Sequence, residues 1–193
     1  MTLAMGQDQK RLDPVVKSFL IPGWGEYAMD RPERGRSFIV AETALWTSLF
    51  GAWIVSDSYS RKFQAFAANH AGVETSGKDR QFWVDIGNYV SMEAHNEEHL
   101  RFREYDALYP ENDDWEWTWS SDSKRKQYRD YRVASDTWKL GAKFVAGGIV
   151  INHIVSAIDA LYLKRISVIE EVSVQPAIDP LNGSSSLVLC IEF

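Results

Sequence analysis

Cysteine is almost missing from this chain. A single one, Cys190, stands among 193 residues, which excludes an internal disulfide framework and a cysteine-rich zinc site. Surplus positive charge is missing as well: 21 Lys and Arg face 27 Asp and Glu, a net charge of −6 spread along the sequence. No basic stripe is present to neutralise a phosphate backbone, so nucleic acid is not expected as a partner. Internal repeats and low-complexity tracts are also absent, which removes solenoids and disordered polymers from consideration.

Aromatic residues are plentiful, with eight Trp, eight Tyr and nine Phe. That density suits a membrane interface or a heavy aromatic core. Two runs are apolar enough to enter a bilayer. One is FIVAETALWTSLFGAWIV, Phe38 to Val55, whose one charge is Glu42; the other is FVAGGIVINHIVSAIDALYL, Phe144 to Leu163, whose one charge is Asp159. Cations bound both. Arg34 and Arg36 precede the first and Arg61 and Lys62 follow it; Lys139 and Lys143 precede the second and Lys164 and Arg165 follow it. A span needs about 20 mostly apolar residues, and flanking Lys and Arg reach the headgroups. The competing reading is two buried helices of a soluble protein. Upstream, LAMGQDQ carries an A-x-G pattern at Ala4 and Gly6, like the end of a signal peptide; an ordinary leader competes with it.

Along the chain, Asp13-Pro14 can start a short helix. Pro22, Gly23 and Gly25, then Pro32 and Gly35, make a structured turn before a long helix from about Gly35 towards Asn69. HAGVETSGKDR is a loop. Asp79 to Tyr89 reads as an amphipathic helix with Phe82, Trp83, Ile86, Tyr89 and Val90 on one side, and SMEAHNEEHLRFREYDAL continues as a polar helix. Pro110 and an acidic run break the pattern. Ser121 or Ser123 caps a helix that runs directly into the second apolar stretch. After Arg165 the sequence is rich in β-branched residues, and Asn182-Gly183 marks a turn, so a β-hairpin is expected there. Cys190 reads as a packed residue of its last strand.

IPGWGEYAMDRPERG resembles the P-G-x-G-x-x-Y…G turn of a bacterial family of small two-span membrane proteins of unknown function. The turn residues are Pro22, Gly23, Gly25, Tyr27 and Gly35. The Tyr/Arg-rich WEWTWSSDSKRKQYRDYRVASD, followed by NHIVSAIDALYLKR with its N-x-x-x-x-x-x-D-A pattern, is similar to the second half of that family. The likeness extends from about Lys17 to Arg165. Glu26 stands where the family usually has Gln, which puts any hydrogen bond carried over to that position in doubt. The resemblance implies a membrane location and brings no reaction and no catalytic residue.

Three constellations can carry chemistry. At 100° per residue, Gly141, Gly148, Asn152, Ser156 and Asp159 fall in a sector of about 80°, with His153 off that face. On the first span, Gly35, Phe38, Glu42, Trp46, Leu49 and Trp53 share a side. Small and polar residues together are what helix contacts in lipid use, so Glu42, Gly148, Asn152, Ser156 and Asp159 are the intramembrane contact candidates. Arg36, Lys164 or Arg165 is expected to neutralise Asp159. The second constellation, HNEEH from His95 to His99, matches the H-x-x-E-H zinc-protease pattern; against that stands a solvated helical face. The third, Trp115, Trp117 and Trp119 in alternation, reads as an interfacial belt or plain packing ahead of a carbohydrate platform.

The expected architecture is mainly α: a helical membrane hairpin with an amphipathic helical insertion and a C-terminal β-hairpin. Residues 1–165 form the membrane domain, with spans at about 38–55 and 144–163 and the insertion at 56–139; residues 166–193 form the hairpin. The expected function is non-enzymatic, a structural or assembly role in a bacterial cell envelope, with an inner-membrane location. Its partners are the lipid bilayer and other membrane or envelope proteins or a second copy of itself. No catalytic residue, cofactor or metal is assigned. The alternatives are a small transporter or channel subunit using Asp159 and Glu42, and a metal-dependent hydrolase at His95, Glu98 and His99.

Overall fold

The computed structural model describes residues 12–170, 172–178 and 185–191, with side chains for 12–167. Six helices account for most of it: α1 (Pro14–Leu20), α2 (Trp24–Ala28), α3 (Pro32–Ala71), α4 (Arg80–Asn88), α5 (Met92–Phe102) and α6 (Asp122–Glu170). The chain divides into two compact units, Met1–Thr47 with Val145–Phe193, and Ser48–Phe144. Helices α3 and α6 are each long and apolar enough to cross a membrane by length and composition, and only 6% and 11% of their most apolar stretches is buried.

In the first unit, the sequence signals for helix entry are all used. Asp13 caps α1 by accepting from the Val15 N–H at 2.9 Å, and Pro14 fills the first position, where no N–H is needed. Gly23 ends the turn at φ +94° and opens α2; a left-handed φ is strained for any other residue. A Cβ there would lie 2.4 Å from the Gly35 carbonyl oxygen. At Gly25 a Cβ would lie 2.1 Å from the Pro14 carbonyl oxygen, and the Tyr27 ring fills the space a Gly35 side chain would need. The family-like glycines are therefore the points where α1, α2 and α3 meet backbone to backbone. Further along, a Cβ on Gly148 would sit 3.2 Å from a Leu45 methyl group, so α6 passes close to α3 there.

In the second unit, α4 falls where the amphipathic helix is expected, over Asp79 to Tyr89, whereas α5 ends at Phe102, short of the polar helix expected to continue through Leu108. The Tyr89 backbone turns extended after α4, and Ser91 then caps α5 by accepting from the Ala94 N–H at 3.1 Å. Helix α5 stops at Arg103, which adopts a left-handed φ of 62°; a short 3-10 turn over Tyr105–Ala107 follows. Phe63, Ala67, Phe82, Trp83, Ile86, Trp117, Trp119 and Tyr128 form the core. The rings of Phe82 meet those of Trp83, Tyr109, Trp115 and Trp117 edge-on at 5.5 to 5.6 Å between centroids, the arrangement the ring quadrupole favours. Trp117 and Trp119 are thus core residues, not an interfacial belt. Their segment is held by backbone bonds on both sides: Met92 N–H to Trp117, Trp119 N–H to Val90 and Thr118 N–H to Ala71. Ser56 and Ser135 exchange hydroxyl-to-carbonyl bonds at 3.0 and 2.8 Å and bring α3 and α6 together in this unit.

At the C-terminal end, α6 continues to Glu170, through the β-branched residues expected to open the hairpin. Once a helix is nucleated, each further residue adds a hydrogen bond, and modest propensity is enough to extend it. The expected turn at Asn182-Gly183 and the Cys190 side chain lie outside the described residues, and the fold rests on the helices.

Candidate functional site

The first unit contains three polar clusters set among apolar helix faces. At the turn, the Glu26 side chain is fully buried, as are Ser18 and Ser156. Ser18 Oγ donates to Glu26 Oε2 at 2.5 Å and Ser156 Oγ donates to Oε1 at 2.9 Å. Each serine in turn accepts from a glycine N–H: Gly25 to Ser18 and Gly23 to Ser156, both at 2.9 Å. Two glycine amides, two hydroxyls and one carboxyl group thus form a closed set tying the turn to α1 and α6. Sequence reasoning missed Ser18 and marked Glu26 only as a departure that put a hydrogen bond there in doubt, whereas Glu26 accepts two. The glycine spacing marked the turn, but only the close backbone approach it permits shows that a carboxyl group lies beneath.

The second cluster centres on Glu42. Its Oε2 accepts from Asn152 Nδ2 at 2.8 Å and its Oε1 from Trp46 Nε1 at 2.7 Å. Asn152 Nδ2 also lies 3.3 Å from the Phe38 carbonyl oxygen. His153, expected to lie off the contact face, has Nδ1 2.7 Å from the Phe19 carbonyl oxygen and Nε2 3.2 Å from Glu42 Oε1. The expectation considered two helices only. Helix α1 is a third, and the carbonyl near its C-terminal end has no intrahelical donor, so it draws the imidazole.

In the third cluster Asp159 Oδ1 pairs with Arg34 at 2.9 Å. Asp159 Oδ2 is buried without a hydrogen bond. The cation is Arg34, not Arg36, Lys164 or Arg165. Arg34, Phe38 and Glu42 are spaced by four residues and share the stripe that faces α6, whereas Arg36 points elsewhere and pairs with Glu33. Lys164 instead donates to Asp13 at 2.5 Å. That bond and the Val15 N–H hold the Asp13 carboxyl below its usual pKa. Glu42, Gly148, Asn152, Ser156 and Asp159 therefore all lie against partners of the first unit, while Gly141 belongs to the second and meets nothing within 4 Å of its Cβ position.

The second unit holds the HNEEH segment on α5. His95 is 1% exposed, so the solvated face expected for it is incorrect. Its ring lies between Tyr89 and Tyr109, at 4.7 and 4.8 Å between centroids. The apolar periodicity of α5 is weak, and the aromatic segment that covers His95 comes from elsewhere in the chain. Burial pushes the His95 pKa down, so the ring is held neutral. Asp85, 7% exposed, accepts from Tyr109 Oη at 2.8 Å and Gln81 Nε2 at 2.9 Å. Burial and this carboxylate push the Tyr109 phenol up. His99 Nδ1 lies 2.6 Å from Glu104, and Glu98 accepts from the Tyr89 hydroxyl at 3.0 Å. The His95 and His99 rings lie 4.2 Å apart between centroids, while their Nδ1 atoms turn to Asn96 at 3.2 Å and to Glu104. Among the described residues no group of three or more His, Cys, Asp or Glu side chains is arranged to hold a metal ion.

Comparison of the chain with known protein families, with curated proteins and with solved structures found no match.

Proposed function

We propose that the chain is an integral membrane protein that crosses the bilayer twice, at about 38–55 and 144–163, and acts without catalysis as a structural or assembly component through protein contacts. One observation supports this most. The apolar stretches of α3 and α6 are 6% and 11% buried, while Glu42, Asn152, Ser156 and Asp159 on the same helices bond within the chain. A core helix of a soluble protein would do the reverse, because water penalises exposed apolar area at about 25 cal/mol per Å². Lipid removes that penalty and makes unpaired polar groups the expensive ones.

The resemblance to the bacterial two-span family belongs to this proposal, and with it an inner-membrane setting in the cell envelope. So does the C-terminal β-hairpin; a two-stranded hairpin is marginal alone in water and suits pairing with another protein or a second copy of the chain. The deciding experiment is fractionation. The protein is expected to stay with membranes through an alkaline carbonate wash, because two spans bury far more apolar area than a surface helix. Recovery of folded, monodisperse full-length chain without detergent would overturn the reading.

A second reading, a small transporter or channel subunit, is favoured by the Glu42–His153 pair. The Phe19 carbonyl can only accept, so His153 Nδ1 carries a hydrogen, and Nε2 faces Glu42 Oε1 at 3.2 Å. Flux across proteoliposomes that Asp159→Asn or Glu42→Gln abolishes would promote this reading over the first.

A further inference from the structure

A cleft of about 680 Å³ opens in the second unit between the helix pair and the start of α4. Its floor includes the Ser56–Ser135 pair and Phe63. The lining includes Trp53 and Ile54, which are 63% and 68% exposed. It also includes Arg80, Arg132 and Lys139, and an adjoining hollow of about 430 Å³ shares these three and adds Lys143.

The acids in the lining are already engaged. Asp57 pairs with Arg61 on the same helix. Asp79 caps α4 by accepting from the Phe82 N–H at 2.9 Å. Asp136 is divided between Arg80 at 3.5 Å and Arg132 at 3.3 Å, both long for charge-assisted bonds. Lys78, a further cation of the lining, lies 3.9 Å from the Trp115 ring centroid. Arg132 is the least exposed of the cations paired with Asp136, its side chain 14% accessible, and its Nε is buried without a hydrogen bond. No ion pair involves Lys139 or Lys143 among the described residues. A planar guanidinium beside lysines, with one shared carboxylate, is under-compensated, and a phosphate suits it.

We infer that this cleft binds the headgroup of an anionic glycerophospholipid, with the phosphate at Arg132, Arg80 and Lys139 and the acyl chains along Trp53 and Ile54. The inference rests on the membrane reading. Trp53 and Ile54 close the first apolar run and Lys139 to Lys143 precede the second, so the cations stand where headgroups would lie. The apolar part of the lining selects a lipid over free phosphate, which has no chains to place there.

The test uses the full chain in detergent, with binding of phosphatidylglycerol and phosphatidylcholine measured by titration against tryptophan fluorescence. Phosphatidylglycerol is expected to bind more tightly than phosphatidylcholine. The double variant Arg132→Gln/Lys139→Gln should lose about thirtyfold in affinity for it, at about a tenfold loss per 1.4 kcal/mol and about 1 kcal/mol for each cation near a charged headgroup. A second pair, Lys139→Gln/Lys143→Gln, touches only residues outside the ion pairs and keeps the test usable if Arg132 proves needed for folding; it too should weaken binding. Inorganic phosphate or glycerol 3-phosphate at the same concentrations should not compete. Equal binding of both lipids, unchanged affinity in the variants, or full competition by inorganic phosphate would each overturn the assignment. Carbonate extraction separates the two failures: a protein that stays in the membrane yet shows no anionic preference defeats the lipid site alone, and one that is soluble defeats the membrane reading itself.

Discussion

Among the described residues, the largest fully buried side chains of the second unit are Trp117, Tyr128, Phe82 and Ile86, with His95 the polar exception; in the first they are Glu26, Pro22, Ser18 and Ser156. The outsides differ less. Val40, Ile151, Ile158 and Tyr162 of the first unit face outward, and in the second Trp53, Ile54, Phe102 and Phe144 do so beside charged Arg61, Arg80, Lys126 and Glu97. Both units are built on the same two helices, so helix propensity does not explain the difference. On the proposed membrane reading, each is arranged for a different solvent. Aromatic burial supplies the driving force in water, while glycine contacts and closed hydrogen-bond sets hold helices together where apolar burial supplies none.

The sharpest way to break this comparison is to truncate an apolar residue in each unit. Phe82→Ala is expected to cost about 3–5 kcal/mol, because it removes the centre of the ring cluster and leaves a cavity. Ile151→Ala, on an outward face of α6, should shift stability in detergent by less than about 0.5 kcal/mol. Tryptophan-fluorescence unfolding of both variants checks this, and similar losses would mean that the first unit also has a conventional apolar core.

Ser156→Ala tests the polar side of the contrast. It deprives both the Gly23 N–H and Glu26 Oε1 of a partner at a fully buried position, which should cost roughly 2 kcal/mol. Glu26→Gln should be milder, about 1 kcal/mol, since the amide keeps one acceptor and leaves a single serine hydroxyl without one. If the two rank the other way in thermal melts, the carboxyl group and not the serine is the keystone.

The aromatic unit should also respond to acid through its one buried imidazole. The His95 pKa is lowered in the fold, so below the unfolded value of about 6.5 the unfolded chain binds more protons. Its contribution is then complete above that pH and is lost as pH falls through the folded value. The fluorescence midpoint should fall between pH 7.5 and pH 5, and His95→Gln should reduce that slope. An unchanged slope would place the pH sensitivity elsewhere.

Asn152→Leu closes the series, with an expected loss of about 0.6 kcal/mol, the average for a hydrogen bond between helices in lipid. Detergent melts of this variant beside Ser156→Ala separate a half-exposed polar contact from a closed one. Equal losses would show that burial of the network matters less than its connectivity.

Much of this organisation was legible in the sequence. Two apolar runs bounded by cations define α3 and α6 by length alone, Asp13-Pro14 and Ser121 carry the chemistry of helix caps, and the glycine spacing marks the turn after α1. The stripe of Gly148, Asn152, Ser156 and Asp159 follows from helical periodicity, which needs only the order of residues. Which partner each of them meets does not. Arg34 rather than Arg36 at Asp159, His153 turning to α1, and Glu26 beneath the glycine turn all depend on a third helix whose docking no local pattern encodes. His95 went the same way: its neighbours on α5 are polar, and it is buried by Tyr109 and Trp117 arriving from a later segment. Periodicity reports the face a residue occupies on its own element, and tertiary packing alone decides what covers that face.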